Sequence, residues 1–549
     1  MIIEDKVFIT FKQMNRMDED ENMAFNTLLF IVFFFIVLFG YYMVPNKFKW
    51  VFLLISSYVF YLYASLKFAF FILFTTITSY FVALSIDRLH EKEKMLSSDL
   101  DVKTKKEIKT GLKMKRKKLL IILLFVNFGI LVFLKYFNFT SDNLNAIFSA
   151  MDIGIRSPHL NLILPLGISF YTFQTMSYVI DVYWGKVKAE KNFGKVALFV
   201  SFFPQIIEGP IGRFKDLSPQ LCKKKSCDYN DLKFGIQLML WGYFKKMVIA
   251  DRVAIIADYV FANYLNISGF GVSVGIFMYA IQDYTDFSGA IDIARGCAKA
   301  MGINMAENFR RPYFSRTVPE FWRRWHMSLG AWMKDYVFYP FSLTKGMRNF
   351  SKFAKKHFGK QIGKTLPIAI GNFLVFFLVG VWHGANWNYI IWGIFYGLLI
   401  GISGMLKPVY SYLNDKLKIN VESRLFHLFQ ILRTFWITCM GCIIFRAAGL
   451  SNAWHIFIKS LQILDFPHNI KRELLSFGLN KNNYIVLLIA LLILFIIDIM
   501  QEKGSVRVRI AHKKVYFRWA IYVLAFLSII LFGIYGPGYN QSQFVYMQF

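Results

Sequence analysis

Long, uninterrupted apolar segments constrain this chain more than any other feature. Residues 28–39 include no polar side chain, residues 119–134 are interrupted only by Asn127 and Gly129, and residues 484–497 are unbroken. With their flanks, these segments reach the length of about 20 residues that a helix needs to cross a bilayer. The chain is also 56% hydrophobic and only 18% charged. It is therefore predicted to be an all-α polytopic membrane protein, which excludes soluble enzyme folds, coiled coils and disordered scaffolds.

The apolar segments predict about 11–12 transmembrane helices. With boundaries uncertain by a few residues, the candidate spans are 25–43, 50–66, 67–86, 119–136, 161–183, 232–250, 270–290, 367–383, 386–406, 425–447, 483–500 and 518–535. Two further stretches, 196–211 and 317–341, hold too many proline, glycine or charged residues to cross simply. Such backbone is tolerated at membrane depth where protein or a water-filled cavity shields it. These stretches are therefore expected to be re-entrant or interfacial helices.

Basic residues collect between the predicted spans and set the orientation. Residues 87–118 contain 12 Lys or Arg against 6 Asp or Glu, and residues 501–518 contain six against one. Because cytoplasmic loops are enriched in Lys and Arg, both segments are expected in the cytoplasm, which places the N-terminus and the C-terminus on the extracytoplasmic side. The same distribution accounts for the net charge of +30. Membrane lipids are therefore the expected partners, and nucleic acid is not.

Three regions are predicted along the chain. Residues 1–22 are polar and lack the basic, apolar and small-residue order of a signal peptide. Because Met23 directly precedes the first span, these residues are expected to be either a dispensable extension or the result of a mis-assigned start. Residues 23–535 form the membrane domain, and residues 536–549 form an extracytoplasmic tail that ends in FVYMQF.

Motifs of soluble-enzyme chemistry are missing from the sequence. There is no GxSxG, no HExxH and no dinucleotide-binding fingerprint, and the glycines at 359 and 363 are one residue too close for a phosphate loop. The five cysteines lack the spacing of a zinc site or a disulfide framework. Neither a metal ion nor a bound cofactor is expected.

One histidine lies at the end of an apolar span. His383 follows the apolar run 368–381, within the sequence VWHGANWNY (381–389). An ionisable side chain at membrane depth is costly, and this makes His383 a candidate functional residue. The alternative is a histidine at the membrane interface beside a belt of tryptophans.

A second histidine lies in a charged, aromatic segment. His326 belongs to PEFWRRWHMSLGAWMKDYVFYP (319–340), in which Trp322, Trp325 and Leu329 would share one face of a helix. An amphipathic interfacial helix is the alternative interpretation. Neutral imidazole can accept a proton from a hydroxyl group, as general-base acyl transfer requires. Two histidines in unusual membrane segments therefore favour catalysis more than either one does alone.

Several motifs resemble the membrane-bound O-acyltransferase family, in particular its bacterial alginate O-acetyltransferase-like branch. WRRWHMSL (322–329) and WHG (382–384) are similar to the two histidine motifs of the family. The resemblance extends over nearly the whole chain from Met23 onward through GISFYTFQTMSYVIDVY (167–183), FPQIIEGPIGRF (203–214), DYTDFSGAIDIARG (283–296) and ENFRRPYFSRT (307–317).

This resemblance implies a helical bundle in a bacterial cell membrane, built around a central funnel. His383 matches the catalytic histidine of the family and His326 matches a second, supporting one. The co-substrate would be a cytoplasmic acyl thioester, acetyl-CoA or an acyl-carrier protein. The acetyl group would pass across the membrane to a cell-surface or exported polysaccharide, with the help of a separate extracytoplasmic transferase. The tail resembles the terminal aromatic motif of this branch, so Tyr546 is a candidate acyl relay, with an interfacial aromatic anchor as the alternative.

Six further residues are candidates for lining the funnel. Trp325, Trp382 and Asn386 flank the two histidines, and Gln174, Glu208 and Arg213 lie in the matching segments. A purely structural role is the alternative for the last three.

Three other functions compete with O-acetylation. D-alanyl transfer to teichoic acid from an acyl-carrier protein is the alternative within the family. A transporter or flippase for a lipid-linked sugar would suit the aromatic spans and broken helices, although the two halves of the chain contain no matching pair of motifs. A non-catalytic membrane scaffold would tolerate the loss of both histidines.

Overall fold

A computed structural model describes residues 23–96 and 101–535, and these residues form helices and connections without a β-strand. The predicted all-α class is confirmed. In chain order the α-helices are α1 (Leu28–Met43), α2 (Lys49–Ser65), α3 (Ala69–Lys94), α4 (Val102–Ala150), α5 (Ile168–Tyr183), α6 (Phe193–Ser201), α7 (Phe203–Ile206), α8 (Phe214–Cys222), α9 (Tyr229–Tyr243), α10 (Asp251–Asn263), α11 (Gly269–Ala300), α12 (Val318–Arg324), α13 (Met327–Met333), α14 (Tyr339–Ser342), α15 (Lys345–His383), α16 (Trp387–Met405), α17 (Lys407–Lys416), α18 (Arg424–Arg446), α19 (Leu450–Ser460), α20 (Ile470–Ser476), α21 (Lys481–Glu502), α22 (Val506–Ala511) and α23 (Val515–Phe532).

The protein is a multi-pass membrane protein. Within the described residues, seven helices are long and apolar enough to cross a bilayer, namely α3, α4, α15, α16, α18, α21 and α23. The shorter apolar helices α1 and α2 accompany them. The other predicted spans correspond to α5, to α9 with its continuation, and to α11, which carry more polar residues because they lie inside the bundle.

The basic segment 87–118, predicted to be a loop, is largely helical. Helix α3 continues to Lys94, and α4 begins at Val102 and runs for 49 residues. At about 1.5 Å per residue, α4 is much longer than the hydrocarbon layer of about 30 Å. Its polar first third therefore extends beyond the membrane, and the apolar run 119–134 follows it.

The interior helices bury polar groups as well as apolar ones. Helix α5 is buried along nearly all of its length. Between α9 and α10 the chain forms a π-helical segment, Phe244–Ala250, which packs against α11. Within this segment the buried Lys246 Nζ lies 2.6 Å from Asp286 Oδ1 and 3.0 Å from Asp251 Oδ1. Such pairing is what allows a charged side chain to remain inside a membrane bundle.

Both segments expected to deviate from simple spans are broken. In the first, α6 ends at Ser201 and the four-residue α7 follows after Phe202, with all of these residues buried. In the second, residues 318–342 form α12, α13, a π-helical turn and α14. The first break and the junction of α12 with α13 are buried, which shields their backbone from lipid, whereas α14 has no buried residue.

Candidate active site

His383 lies at the C-terminal end of α15, and its backbone is held by α4. Lys135 Nζ donates hydrogen bonds to the carbonyl oxygens of Trp382 and His383, at 2.7 and 2.8 Å. The Tyr136 hydroxyl donates to the carbonyl oxygen of Gly384 at 2.9 Å. The last carbonyl groups of a helix lack partners within the helix, so these donors satisfy groups that would otherwise be exposed.

A close helix crossing fixes the other side of His383. A Cβ atom on Gly380 of α15 would lie 2.4 Å from the carbonyl oxygen of Tyr389, and one on Gly393 of α16 would lie 2.5 Å from that of Phe376. Neither position has room for a side chain. The two glycines therefore bring α15 and α16 into backbone contact directly beside His383.

His326 occupies a sharp break between α12 and α13. Its backbone is left-handed, with φ 45° and ψ 50°, and the amphipathic helix expected across 319–340 is interrupted there. Only glycine adopts this conformation without strain. The break places Trp325 and His326 in the interior, where both are buried.

Asn308 holds this break from a distant part of the chain. Its Oδ1 accepts hydrogen bonds from the Ser328 backbone N at 2.9 Å and from Ser328 Oγ at 2.8 Å. His326 Nδ1 lies 3.4 Å from the same oxygen. The Asn308 carbonyl oxygen also accepts a hydrogen bond from Met327 N at 3.0 Å. One buried asparagine thus fixes both the backbone and the ring of the histidine segment.

The two histidines line one cavity of about 480 Å³. Its walls are mostly apolar and rich in aromatic side chains, and its polar lining includes Asp283, Asn372, Thr438, Cys442, Arg323 and Lys334. The His383 ring lies 5.1 Å from each of the rings of Trp392 and Phe445, with both pairs edge to face. Aromatic walls exclude water and leave few polar groups to compete for a substrate.

Of the six residues predicted to line the funnel, the two tryptophans lie close to the histidines. Trp325 lines the cavity. The Trp382 ring centroid lies 6.0 Å from that of His326 and 5.0 Å from that of His383, so it packs against both. Trp382 in turn lies against Phe173 of α5, whose ring stacks on Trp332 with 4.2 Å between centroids.

Trp382 touches both histidine rings without lining the cavity itself, and the other four predicted residues also lie outside the lining. Asn386 caps α16, where its side-chain oxygen accepts from Asn388 N at 2.9 Å. Gln174 Nε2 donates to the carbonyl oxygen of Phe199 at 2.5 Å.

Arg213 and Glu208 lie in different environments, both away from the histidine cavity. Arg213 pairs with Asp335 at 2.9 Å and stacks on Tyr336. Glu208 is buried, and neither of its carboxylate oxygens has a hydrogen-bond partner within residues 23–96 and 101–535. The contribution of Asn386, Gln174, Arg213 and Glu208 to a funnel stays a prediction. Tyr546 lies outside the described residues.

Sequence reasoning missed the residues that support the histidines from other segments. Lys135 carries a detectable signal, because a cation near the end of an apolar span is unusual. Asn308 belongs to the motif ENFRRPYFSRT (307–317), but nothing in that motif indicates its contact with Ser328, 20 residues away across an irregular loop. Within the described residues, no group of three or more His, Cys, Asp or Glu side chains is arranged to hold a metal ion.

Comparison with known proteins agrees with this arrangement. The model of the membrane-bound O-acyltransferase family matches residues 53–443, which include both histidines and the crossing of α15 with α16. The chain belongs to the membrane-bound O-acyltransferase family. It is therefore an O-acyltransferase, and its histidine cavity is the candidate active site of a family member.

Relatives within the family differ in their acceptors. The chain is 33% identical to a Pseudomonas aeruginosa protein named "Probable alginate O-acetylase AlgI", over 79% of this chain and 74% of that protein. It is 30% identical to the peptidoglycan O-acetyltransferase of Helicobacter pylori, over 78% of each. It is 32% identical to the teichoic acid D-alanyltransferase of Bacillus subtilis, over 52% of this chain and 70% of the relative.

Proposed function

We propose that this protein moves an acetyl group from a cytoplasmic thioester across the membrane for O-acetylation of a cell-surface or exported polysaccharide. The observation that carries the proposal is the convergence of His383 and His326, from separate chain segments, on one aromatic cavity inside the bundle. The donor is acetyl-CoA or an acetylated carrier protein. A separate extracytoplasmic transferase completes the transfer to the polymer.

In the proposed reaction, His383 acts as the general base. Its imidazole takes the proton from an attacking hydroxyl group, whose oxygen forms an ester bond to the acetyl carbon. The carbon–sulfur bond of the donor breaks, and the departing thiolate receives the proton. His326 orients the thioester carbonyl. The aromatic walls keep water from hydrolysing the donor.

The proposal includes Tyr546 as the first acceptor. The tail that bears it follows α23 and is assigned to the extracytoplasmic side by the charge distribution of the loops. A tyrosine ester there would pass the acetyl group to the external transferase. This would explain how a thioester on one side of the membrane can serve a polymer on the other.

Acetyl transfer is favoured over D-alanyl transfer by the extent of similarity. The match to the D-alanyltransferase covers 52% of this chain, whereas the matches to O-acetylating relatives cover 78–79% of it. Both reactions require the same base, so the histidines alone do not discriminate between them.

The deciding experiment measures ester content in cells that lack the chromosomal gene and carry plasmid copies. Base-labile acetate on surface polysaccharide and on peptidoglycan, and base-labile D-alanine, are measured in the same extracts. The plasmids encode wild type, His383→Ala, His326→Ala and His357→Ala. His357 is the matched control, because it is an exposed histidine of the same segment and lies before the kink at Gly359, far along the chain from His383.

Acetate ester should fall to background in His383→Ala and His326→Ala at unchanged protein levels, and His357→Ala should equal wild type. The polymer that loses acetate identifies the acceptor. Loss of D-alanine with unchanged acetate would replace the acetyl proposal by D-alanyl transfer. Unchanged esters in both variants would contradict catalysis by these histidines.

A further inference from the structure

A second cavity, of about 630 Å³, lies outside the histidine site. It is bounded by α9 and α11 on one side and by α21, α22 and α23 on the other. The two cavities share no lining residue. No residue of the two histidine motifs lines the second cavity, and the proposed reaction does not involve it.

One part of this cavity is apolar and belongs to the membrane layer. Its walls include Trp241, Phe244, Ile493, Ile497 and Leu524. Ile493 and Ile497 lie on α21 and Leu524 on α23, both of which are apolar enough to span a bilayer. This part therefore offers a surface that suits a hydrocarbon chain.

The other part of the cavity is strongly polar and has an excess of positive charge. Five basic residues line it against three acidic ones: Lys245, Arg295, Arg310, Arg311 and Arg507 against Asp292, Glu307 and Asp498. Some of this charge is neutralised internally, as in the pair between Lys245 Nζ and Asp292 Oδ2 at 2.7 Å. Arg295 and Arg310 also pair with acidic residues of the lining, and Arg311 pairs with Glu502 at 2.6 Å. Within the described residues this leaves the positive charge of Arg507 to attract an anion.

Arg507 is the cation with most capacity for a ligand. Its guanidinium donates one hydrogen bond, at 3.2 Å, to the carbonyl oxygen of Phe234 and lies over the ring of the same residue, and it forms no ion pair with the described part of the chain. It lies on α22, in the short connection between the two spanning helices α21 and α23. Arginine at such a place is suited to bidentate contact with a phosphate group.

Further polar groups in the lining have unused hydrogen-bonding capacity. The side-chain amide oxygen and nitrogen of Gln237, the hydroxyl of Tyr522 and Nε of Arg295 have no hydrogen-bond partner within the described residues. All three side chains line the second cavity. Buried polar groups are normally paired, so these groups indicate that a polar ligand completes the site.

We propose that the second cavity binds one anionic glycerophospholipid. Its phosphate lies at the Arg507 end, its glycerol oxygens meet the polar lining at Gln237 and Tyr522, and an acyl chain follows the apolar wall formed by α21 and α23. Free phosphate would leave the apolar part unfilled. A basic pocket between spanning helices is a known form of binding site for anionic headgroups. This inference does not depend on the acyl group or the acceptor of the enzyme.

The test uses the purified full-length protein in a neutral detergent. Dioleoyl phosphatidylglycerol and dioleoyl phosphatidylcholine are titrated separately, and the lipid-bound fraction is measured by native mass spectrometry. Phosphatidylglycerol should occupy one site saturably, and phosphatidylcholine should bind at least about tenfold more weakly because it lacks net negative charge. Equal binding of the two lipids would overturn the proposal.

Two pairs of variants locate the site. Arg507→Gln should weaken phosphatidylglycerol binding by about tenfold, while Arg348→Gln, which makes the same charge change at an exposed residue of α15, should not. Ala525→Phe fills the apolar wall and should also weaken binding. Ala520→Phe, at an exposed position of the same helix, should not. If Arg507→Gln fails to fold, the alanine pair still decides, and equal binding by Ala525→Phe and Ala520→Phe would overturn the assignment.

A final arm separates the lipid from other sources of phosphate. Coenzyme A and inorganic phosphate are added to the protein with phosphatidylglycerol bound. Retention of the lipid supports the proposal. Displacement by coenzyme A or by inorganic phosphate at equal concentration would show a site for the phosphate group alone and would overturn the lipid assignment.

Discussion

Lys135 donates a hydrogen bond to the backbone carbonyl of His383, with 2.8 Å between Nζ and the oxygen. The two residues are 248 positions apart in the chain. The contact joins the apolar part of α4 to the end of α15, at the point where the candidate base enters the cavity. The position of His383 therefore depends on a helix that does not itself line the cavity.

Replacement of Lys135 should reduce acyl transfer without removing the base. Lys135→Met loses both hydrogen bonds to the end of α15, so the free energy of unfolding should fall by about 1.5–3 kcal/mol. Misplacement of His383 should lower ester formation by about 10-fold to 100-fold. Lys106→Met, at an exposed position of the same helix, is the control and should leave both quantities unchanged. Wild-type activity in Lys135→Met would contradict the positioning role.

The left-handed backbone of His326 separates the effect of its ring from that of its conformation. Both His326→Gly and His326→Ala remove the imidazole and should abolish ester formation. Because glycine adopts positive φ without strain, His326→Gly should be more stable than His326→Ala by about 1 kcal/mol. Thermal unfolding in detergent, followed by tryptophan fluorescence, measures the difference. Equal stability of the two variants would be inconsistent with a strained backbone at φ 45°.

Loss of the Asn308 side chain should disturb the segment that carries His326. Asn308→Ala leaves the two Ser328 donors without their acceptor in a buried place, at a cost of about 1–3 kcal/mol for each donor that stays unsatisfied. Both the unfolding temperature and ester formation should fall. Asn304→Ala, an exposed change on the same loop, should affect neither as strongly. The prediction fails if the two variants behave alike.

The glycine contact between α15 and α16 can be tested within a single helix. Gly393→Ala places a methyl group 2.5 Å from the carbonyl oxygen of Phe376, and this should destabilise the protein by about 1–3 kcal/mol and lower ester formation. Gly404→Ala lies on the same helix with no atom within 4 Å of the new Cβ. It should be neutral or slightly stabilising, because alanine favours helix over glycine. Comparable loss of stability in both variants would argue against the close crossing.

The membrane character of the chain can be predicted from its sequence, and both histidines can be recognised as unusual, because each depends on local patterns. The apolar runs mark the spanning helices, and the proline, glycine and charged residues at 196–211 and 317–341 mark the two broken segments. The high charge of segment 87–118 predicts an exposed loop, but charge indicates exposure to water and does not exclude a helix. Lys and Glu are also good helix formers, so α3 and α4 continue through most of it.

The support of the histidines could not be predicted, because it is formed by contacts between distant segments. Trp322, Trp325 and Leu329 have helical spacing, but the helix ends at Arg324, and Asn308 accepts hydrogen bonds from Ser328 beyond the break. Gln174 and Arg213 have equally suggestive positions in the sequence, yet in the folded protein they contact Phe199 and Asp335, which lie 25 and 122 positions away. Which polar residue faces a cavity is decided by packing, and that information is absent from spacing.

The separate linings of the two cavities also imply an order in which they can be completed during synthesis. The histidine cavity uses side chains between positions 279 and 445, whereas the second cavity requires residues up to 528. Because chains emerge N-terminus first and fold as they are made, the histidine cavity can close while α21–α23 are still in the ribosome. The second cavity is therefore completed last, when the helical hairpin of α21 and α23 inserts. A nascent chain that stalls before this hairpin would contain every lining residue of the histidine cavity, whereas the second cavity would lack one wall.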